Sequence, residues 1–570
     1  MLVSQGGVGS ALHLNNRCIE IKVASTPLSI AGRRQTVIYS LGGFMYQRFK
    51  LLILFLCAIA SATAVFGANA ARVGNNVGNN QAHMVSLDSR QQPLTDWGLE
   101  SSASDIAGKP GSSETAMGYF MSPGIIQIGV TSYDLQHNMR QARQIAVGSD
   151  GRVHMVWTHK LVLGSLNTRA VHYRSFKNIG PGGALTAEKS ISDLLSKVPG
   201  RFCTVDAFGD VGLVVYHWGP SATSSTTDAM DAGSGSGAFY TVSPDIPAGV
   251  INCENIYAGS AFQPYIWPVA AADHDANKLV VHAVASEGNT GAGFSAIVYF
   301  RGASSSTILE GGMYGTCGKF IDSCSATGYD VAASPYNDDV VIVYPLARQG
   351  NRENNDLAYR LSHDIGVTWG DPVNVTNFAT GALERVAGDM SVLFTADNCF
   401  HILYIGNIYD SLANTVSDQE AKLYHWSSCN PTCKSLVLDA NNHDNACNTP
   451  AFEYDVSKIT LTQCHSNALG KDLLYAVYAR QLGTTADPDC SDKGYFNQEV
   501  FVSPSSTWGE TWGESINLTN TKTDGCDPMA ATPTYCADES FTSSARYVND
   551  SLRIEYLEDL DAGSFVSNES

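Results

Sequence analysis

Apolar residues in this chain come in short runs rich in Val, Ile, Tyr and Phe, broken every few residues by Asp, Asn, Gly or Ser. Such runs fit half-buried strands, and the 3.6-residue spacing of helices is nearly absent. The runs pair into hairpins. The first is Gln144-Ile-Ala-Val-Gly-Ser-Asp-Gly-Arg-Val-His-Met-Val-Trp157, a strand, a polar turn and a second strand. Its second strand recurs at Leu213–His217, Leu279–Ala283, Val340–Tyr344, Phe400–Tyr404, Leu473–Val477 and Leu552–Tyr556, which makes seven occurrences at a fairly even period. A third strand follows most of them, as at Val171–Ser175, Ala296–Arg301, Leu357–Leu361, Leu423–Trp426 and Glu499–Ser503.

A four-stranded antiparallel unit repeated in this way leaves only short edges exposed, which predicts an all-β chain folded as a β-propeller. Seven blades are expected, with six as the alternative if one hairpin is misread. The last hairpin is followed by too few residues to complete a blade, and an orphan strand, Gly124–Thr131, precedes the first. This N-terminal strand is expected to close the last blade. Residues 117–570 form the propeller on this reading. Residues 71–116 contain Val-Gly-Asn-Asn twice and no apolar periodicity, and are expected to be a flexible lead-in.

Upstream, Met45-Tyr-Gln-Arg-Phe-Lys50, the apolar run Leu51–Val65 and the small-residue end Ala68-Asn-Ala70 have the three parts of a secretory signal peptide over 45–70. The run is shorter than the roughly 20 residues that span a bilayer, so no membrane insertion is expected after cleavage. Residues 1–44 are then an upstream extension from a misassigned start. Removing everything up to Ala70, a segment with a net charge of +5, takes the formal charge from −20 to −25. That balance excludes nucleic acid as a partner, because phosphate binding needs basic surface, and it suits a secreted or cell-surface protein.

Twelve of the 14 cysteines follow Ala70, an even count that points to disulfides in an oxidising compartment. Short loops would be closed by Cys317 with Cys324, Cys429 with Cys433, and Cys526 with Cys536. Cys429, Cys433, His443 and Cys447 have metal-like residue types at a spacing that fits no standard zinc pattern, so no metal is assigned. Asp273-His-Asp275-Ala-Asn277 opens like a calcium loop but lacks the Gly and the later Glu. It reads as turn chemistry, with calcium as the alternative and no other cofactor called for.

Ser362-His-Asp364-Ile-Gly366-Val-Thr368-Trp369 fits the pattern S-x-D-x-G-x-T-W. A second copy starts at Ser505, with Gly509, Thr511 and Trp512 in register and Thr507 at the Asp position, and both copies continue in parallel to Asn377 and Asn520. Ser and Asp side chains can bond nearby amides, Gly supplies a positive φ, and Trp packs into the sheet. These octapeptides resemble the Asp-boxes (BNR repeats) of the sialidase-like, or neuraminidase-like, propeller superfamily. The resemblance implies turns between the third and fourth strands of a blade, away from the catalytic face, and makes Asp364 a turn-former.

Sialidases of that superfamily bind a substrate carboxylate with three arginines, and use a Tyr–Glu nucleophile and an Asp acid/base. No Arg-Ile-Pro, their usual setting for the first arginine, occurs here. Arg143, Arg201 and Arg385 nevertheless each stand just before the first strand of a unit, where three guanidiniums could converge on an anion. Tyr133 and Asp134 fall at the same end, and pairing with nearby acids is the alternative for the arginines. No H-E-x-x-H, G-x-S-x-G or P-loop is present. Three functions follow as expectations: a secreted module binding glycan or an extracellular protein, a glycoside hydrolase or lyase acting on an anionic sugar, or the adhesive or sensor part of a longer surface protein.

Overall fold

The computed structural model describes residues 80–88, 124–131, 133, 135–137, 143–160, 170–177, 184–190, 200–209, 211–218, 237–242, 265–273, 280–287, 294–303, 319–325, 328–348, 351–413, 415–440, 446–450 and 453–563. The leader, residues 1–44 and Asp134 lie outside them. All described elements are strands, arranged in seven sheets. Numbered by chain order, sheets one to seven begin with the first strands Ile145–Val147, Gly200–Phe208, Tyr265–Ala272, Asp330–Ala333, Glu384–Phe394, Val456–Ser466 and Asp538–Ser544. In sheets one to six the second and third strands follow each first strand as an antiparallel meander.

Each sheet packs on the next through its own apolar cluster. Ala146, Val156 and Tyr173 of sheet one meet Val205, Val214 and Tyr216 of sheet two, and five further clusters continue the series through sheets two to seven. The series closes on itself, because Ile128, from the sheet that holds the C-terminal strands, packs on Ile145, Met155 and Trp157 of sheet one. Sheets with two apolar faces, joined face to face in a ring, make a β-propeller.

The ring is sealed by the two ends of the chain. Sheet seven has the order Gly124–Thr131, Asn80–Asp88, Ser551–Asp559, Asp538–Ser544. Gly124–Thr131 therefore reaches the last sheet, but not as the strand that pairs with its hairpin. Asn80–Asp88, inside the segment expected to be a lead-in, pairs with Ser551–Asp559 from Gln81↔Glu558 to Asp88↔Ser551. Its sequence, NQAHMVSLD, is mostly polar and lacks clean alternation, so the two neighbouring strands supply the reason it is extended.

Five first strands share a local device. Register shifts interrupt pairing at Arg201/Thr204, Ile266/Val269, Val386/Met390, Ser457/Thr460 and Ser540/Ser543. Within each shift one residue takes the left-handed conformation: Phe202, Trp267, Gly388, Lys458 and Phe541, at φ of 50–71°. These are bulges at equivalent places. They turn Phe202, Trp267 and Phe541 into one buried cluster with Tyr133, Leu135 and Leu557, while Lys458 lies 4.8 Å over the Phe541 ring. This apolar cap stands at the start of the first strands.

Of the expected bridges, one forms and one changes partner. Cys526–Cys536 is a disulfide, but Cys429 bonds Cys399 and Cys447 bonds Cys490. Sequence spacing favours the nearest pair, whereas the antiparallel pairing of Phe400–Asp410 with Thr415–Ser427 brings Cys399 and Cys429, 30 positions apart, to a Cα distance of 5.7 Å, and Cys447 and Cys490, 43 apart, meet at 5.9 Å beside the parallel bridge Asn448↔Tyr495. Cys429 and Cys447, held in separate bridges, do not form a zinc cluster; His443 and Cys317 lie outside the described residues. Cys203 and Cys464 are buried thiols, not bridged as the even count suggested, and burial pushes both up to about 12.

Glu499, on the third strand of sheet six, is buried beside Asn517, which donates to it. Burial lifts its carboxyl to about 7. A raised pKa favours folding fully below the unfolded value and loses that contribution as pH rises toward 7. Glu499→Gln is therefore expected to stabilise the protein at pH 8 by about 1–2 kcal/mol and to have little effect at pH 4.5. Denaturant titrations at the two pH values test it, and an equal effect at both would sink it.

Candidate functional site

Arg143 does not face an open pocket. Its guanidinium is buried in the centre of the ring, where it donates to the Leu461 carbonyl (3.0 Å), the Ser544 carbonyl (2.8 Å) and Ser391 Oγ (2.8 Å). Burial, aided by repulsion from Arg546, pushes it down to about 9. Arg546, which sequence reasoning missed, is the second plug. It donates to the carbonyls of Val392, Ala270 and Val331 at 3.1, 3.2 and 2.8 Å, and pairs with Asp206 at 3.5 Å and Asp330 at 3.6 Å. Between them the two arginines adjoin or bond to the first strands of all seven sheets. The only sequence signal was a charge just past the Ser-rich strand Asp538–Ser544.

Arg385 is committed elsewhere. Its Nε donates to Asn354 Oδ1 at 2.5 Å, Nη1 donates to the Glu384 carbonyl at 2.7 Å, and the guanidinium lies 5.2 Å from the centre of the Tyr409 ring. Arg143 and Arg385 share none of these partners. The backbone of Arg201 lies at the start of the first strand of sheet two, and its side chain is outside the described set. Tyr133 belongs to the buried cap, and Asp273 is buried with its amide on the Val280 carbonyl.

The octapeptide turns are built as their side chains suggest. Ser362 Oγ accepts from the Gly366 amide at 2.8 Å, and Asp364 accepts from the Thr368 amide at 2.7 Å and its hydroxyl at 2.6 Å. These bonds hold Asp364 down at about 2. The Ser505 turn repeats them, with Thr507 Oγ1 accepting from the Thr511 amide at 2.9 Å. Each turn docks on the preceding sheet. Trp369 packs edge-on against Tyr299 at 4.9 Å, and Trp512 donates to Ser435 Oγ at 3.1 Å.

Buried histidines on the second strands bond to the third, His154 to Tyr173 at 2.8 Å, His282 to Tyr299 at 2.7 Å and His401 to His425 at 2.9 Å, and the last two pairs lie beneath Gly366 and Gly509 of the octapeptide turns. They are structural spacers. Burial lowers His282 to about 3, so it stays neutral.

The end of the channel opposite the aromatic cap is concave. A cavity of roughly 600 Å³ is lined by the hairpin tips Gly148-Ser149, Gly151, Gly209 and Pro335-Tyr336, together with Gln463, His465, Asn549, Ser551 and Arg553. All of these residues come from the turns joining first to second strands or from the strand segments beside them. This is the octapeptide end, since the Ile365 amide donates to the Asp338 carbonyl in the same hairpin as Tyr336. A Cβ added at Gly151 (φ 77°) or Gly209 (φ 58°) would meet no atom within 4 Å; the glycines let the tips turn while leaving the mouth open. Tyr336 is 46% exposed. Partial burial raises its phenol, and a hydrogen bond with Gln463 opposes that. His465 is exposed and bonds Asp472 at 2.7 Å.

No family model matches the chain, and no curated protein matches it. Among solved structures it resembles the Trypanosoma rangeli sialidase in complex with the inhibitor DANA, at 12% identity and a TM-score of 0.36, over 70% of this chain and 58% of the sialidase. It also resembles the polysaccharide lyase Uly1, at 11% identity and 0.36 over 85% of this chain and 99% of that one. A third likeness is the GH93 α-L-arabinofuranosidase of Fusarium graminearum with arabinobiose, at 10% identity and 0.33 over 75% and 96%. The chain spans little more than half the length of the sialidase.

Proposed function

We propose that the chain is a secreted, seven-bladed propeller, one blade per sheet, that binds carbohydrate in the cavity at its hairpin end. The carrying observation is the composition of that cavity: an exposed Tyr336 ring beside Gln463, His465, Asn549, Ser551 and Arg553. Its volume lies within the range of about 300–1,000 Å³ common to ligand pockets. An aromatic face packs on the apolar face of a pyranose, and convergent amide, hydroxyl and guanidinium groups satisfy its hydroxyls. Secretion is supported by the three disulfides among the described residues. No helix among the described residues is long and apolar enough to cross a membrane. The hydrolase reading built on Arg143, Arg201 and Arg385 loses its basis where the first and third are bonded internally.

Binding should be measured by calorimetry against a panel of neutral and anionic oligosaccharides. Tyr336→Ala is expected to weaken the best ligand about tenfold, the equivalent of about 1.4 kcal/mol, with thermal stability unchanged because the side chain is half in solvent. Binding that Tyr336→Ala leaves intact, or a folded protein that binds none of the panel, would overturn the assignment.

A further inference from the structure

A second cluster of chemistry lies at the other end of sheet one. His159 ends the second strand of that sheet, and His172 lies on the third; the register is Trp157↔His172 and His159↔Ala170. This diagonal stacks the two imidazoles with centroids 3.8 Å apart and planes inclined by 19°. His159 is buried, and His172 is 13% exposed. Glu188, just ahead of the short strand Lys189–Ser190, completes the group.

The hydrogen bonds set the tautomers. A carbonyl only accepts, so the 2.7 Å contact between His159 Nδ1 and the Val130 oxygen puts the proton on Nδ1. His172 Nδ1 likewise donates to Glu188 Oε1. A cation that binds both His172 and Glu188 takes the place of the proton between Nδ1 and Oε1, whereas His159 presents Nε2, with its Nδ1–H anchored by the carbonyl. That anchoring is how proteins orient histidines for a metal. One ligand atom from each of His159, His172 and Glu188 lies within 4.8 Å of the others.

We propose that His159, His172 and Glu188 form a binding site for a zinc-class divalent cation, with imidazole nitrogens as its principal donors. Two imidazoles and one carboxylate suit Zn²⁺ or Co²⁺ better than the oxygen-seeking Ca²⁺ or Mg²⁺. Bonds of about 2.0–2.2 Å place the ligand atoms roughly 3.4 Å apart, so His172 Nδ1 and Glu188 Oε1 must separate from hydrogen-bond contact, and their partly exposed side chains can do this. Arg174, 3.5 Å from Glu188 Oε2, holds the carboxylate until a cation replaces it. The remaining coordination positions fall to water.

The site is independent of the carbohydrate cavity and is tested separately. Tag-free protein is stripped with chelator and titrated with Zn²⁺ by calorimetry, and with Co²⁺ by its visible absorption. One equivalent should bind, with the intense visible bands of low-coordinate Co²⁺. His172→Ala is expected to weaken that site at least about 100-fold, and Glu188→Gln about tenfold. His363→Ala, which removes an exposed histidine of the octapeptide turn at the opposite end, should leave Zn²⁺ uptake unchanged. Each variant is checked by near-ultraviolet circular dichroism. The proposal fails if folded protein takes up no Zn²⁺, if uptake survives His172→Ala, or if it is lost with His363→Ala. Loss of folding in His172→Ala shifts the decision to Glu188→Gln, whose unchanged affinity would equally overturn the site.

Discussion

Arg546→Met is expected to cost about 3–5 kcal/mol at pH 8, because it strips three carbonyls of a donor and leaves Asp206 and Asp330 without the cation they face in the channel. The loss should shrink as pH falls. Burial raises the Asp330 carboxyl, and Arg546 is the largest influence opposing that rise. Without Arg546 the group binds its proton more readily in the folded state than in the unfolded one. A raised group contributes stability at low pH that is lost as pH climbs through its folded value, so the variant should come closest to the parent at the acid end of the range tested. Asp330→Asn in the Arg546→Met background should recover part of the loss at pH 8 and little at pH 5. Arg546→Lys keeps the charge without the planar fork and should fall between the two, which preserves the test if the Met variant does not fold. Denaturant-unfolding free energies across pH 5–8 decide it. A penalty under about 1 kcal/mol, or one that does not vary with pH, would show that Arg546 is not a plug.

Gly366→Ala is expected to cost about 2–4 kcal/mol, although it adds one methyl group near the surface. The glycine sits at φ 76°, and a Cβ there would lie 1.8 Å from Tyr299 Oη and 2.7 Å from Cζ. Tyr299 belongs to the neighbouring sheet and bonds the buried His282. The substitution therefore pushes two sheets apart as well as straining the turn. Gly381→Ala separates the two costs, since that residue has φ 82° with nothing within 4 Å; it should lose only about 1–2 kcal/mol. Tyr299→Phe combined with Gly366→Ala should restore part of the loss by removing the oxygen. Equal penalties for the two glycines, measured by denaturant unfolding, would mean that the octapeptide turn does not dock the sheets.

The parts legible in the sequence were those written in consecutive residues. The second strands show Val, Ile and Tyr runs after a polar turn, and their described residues all lie in strands of the fold. The Ser362 and Ser505 turns carry their own hydrogen-bonding side chains, so the octapeptides specify them wherever they occur. Cys526–Cys536 was visible because only 10 residues separate the pair. The bulges of the first strands left no pattern, because Phe, Trp, Gly and Lys all occupy the left-handed position and closure of the ring imposes it. Asn80–Asp88 escaped for a similar reason: its polar sequence becomes a strand because two existing edges lie on either side of it.

The candidate site divides the same way. Arg143 was conspicuous as a cation before a strand, and its type is what the channel uses. Its role depends on carbonyls 318 and 401 residues away, so no local spacing distinguishes a plug from an anion receptor. Tyr336, Gln463 and Arg553 line one cavity although they belong to three different sheets' hairpins, far apart along the chain. Alternation and turn chemistry act over a few residues, and by themselves they determined an all-β chain of repeated hairpins. Which end of the channel is capped by aromatic rings, which end stays open, and which histidines meet were decided only when seven sheets closed into a ring, because those contacts arise from packing between segments with no short-range relation to one another.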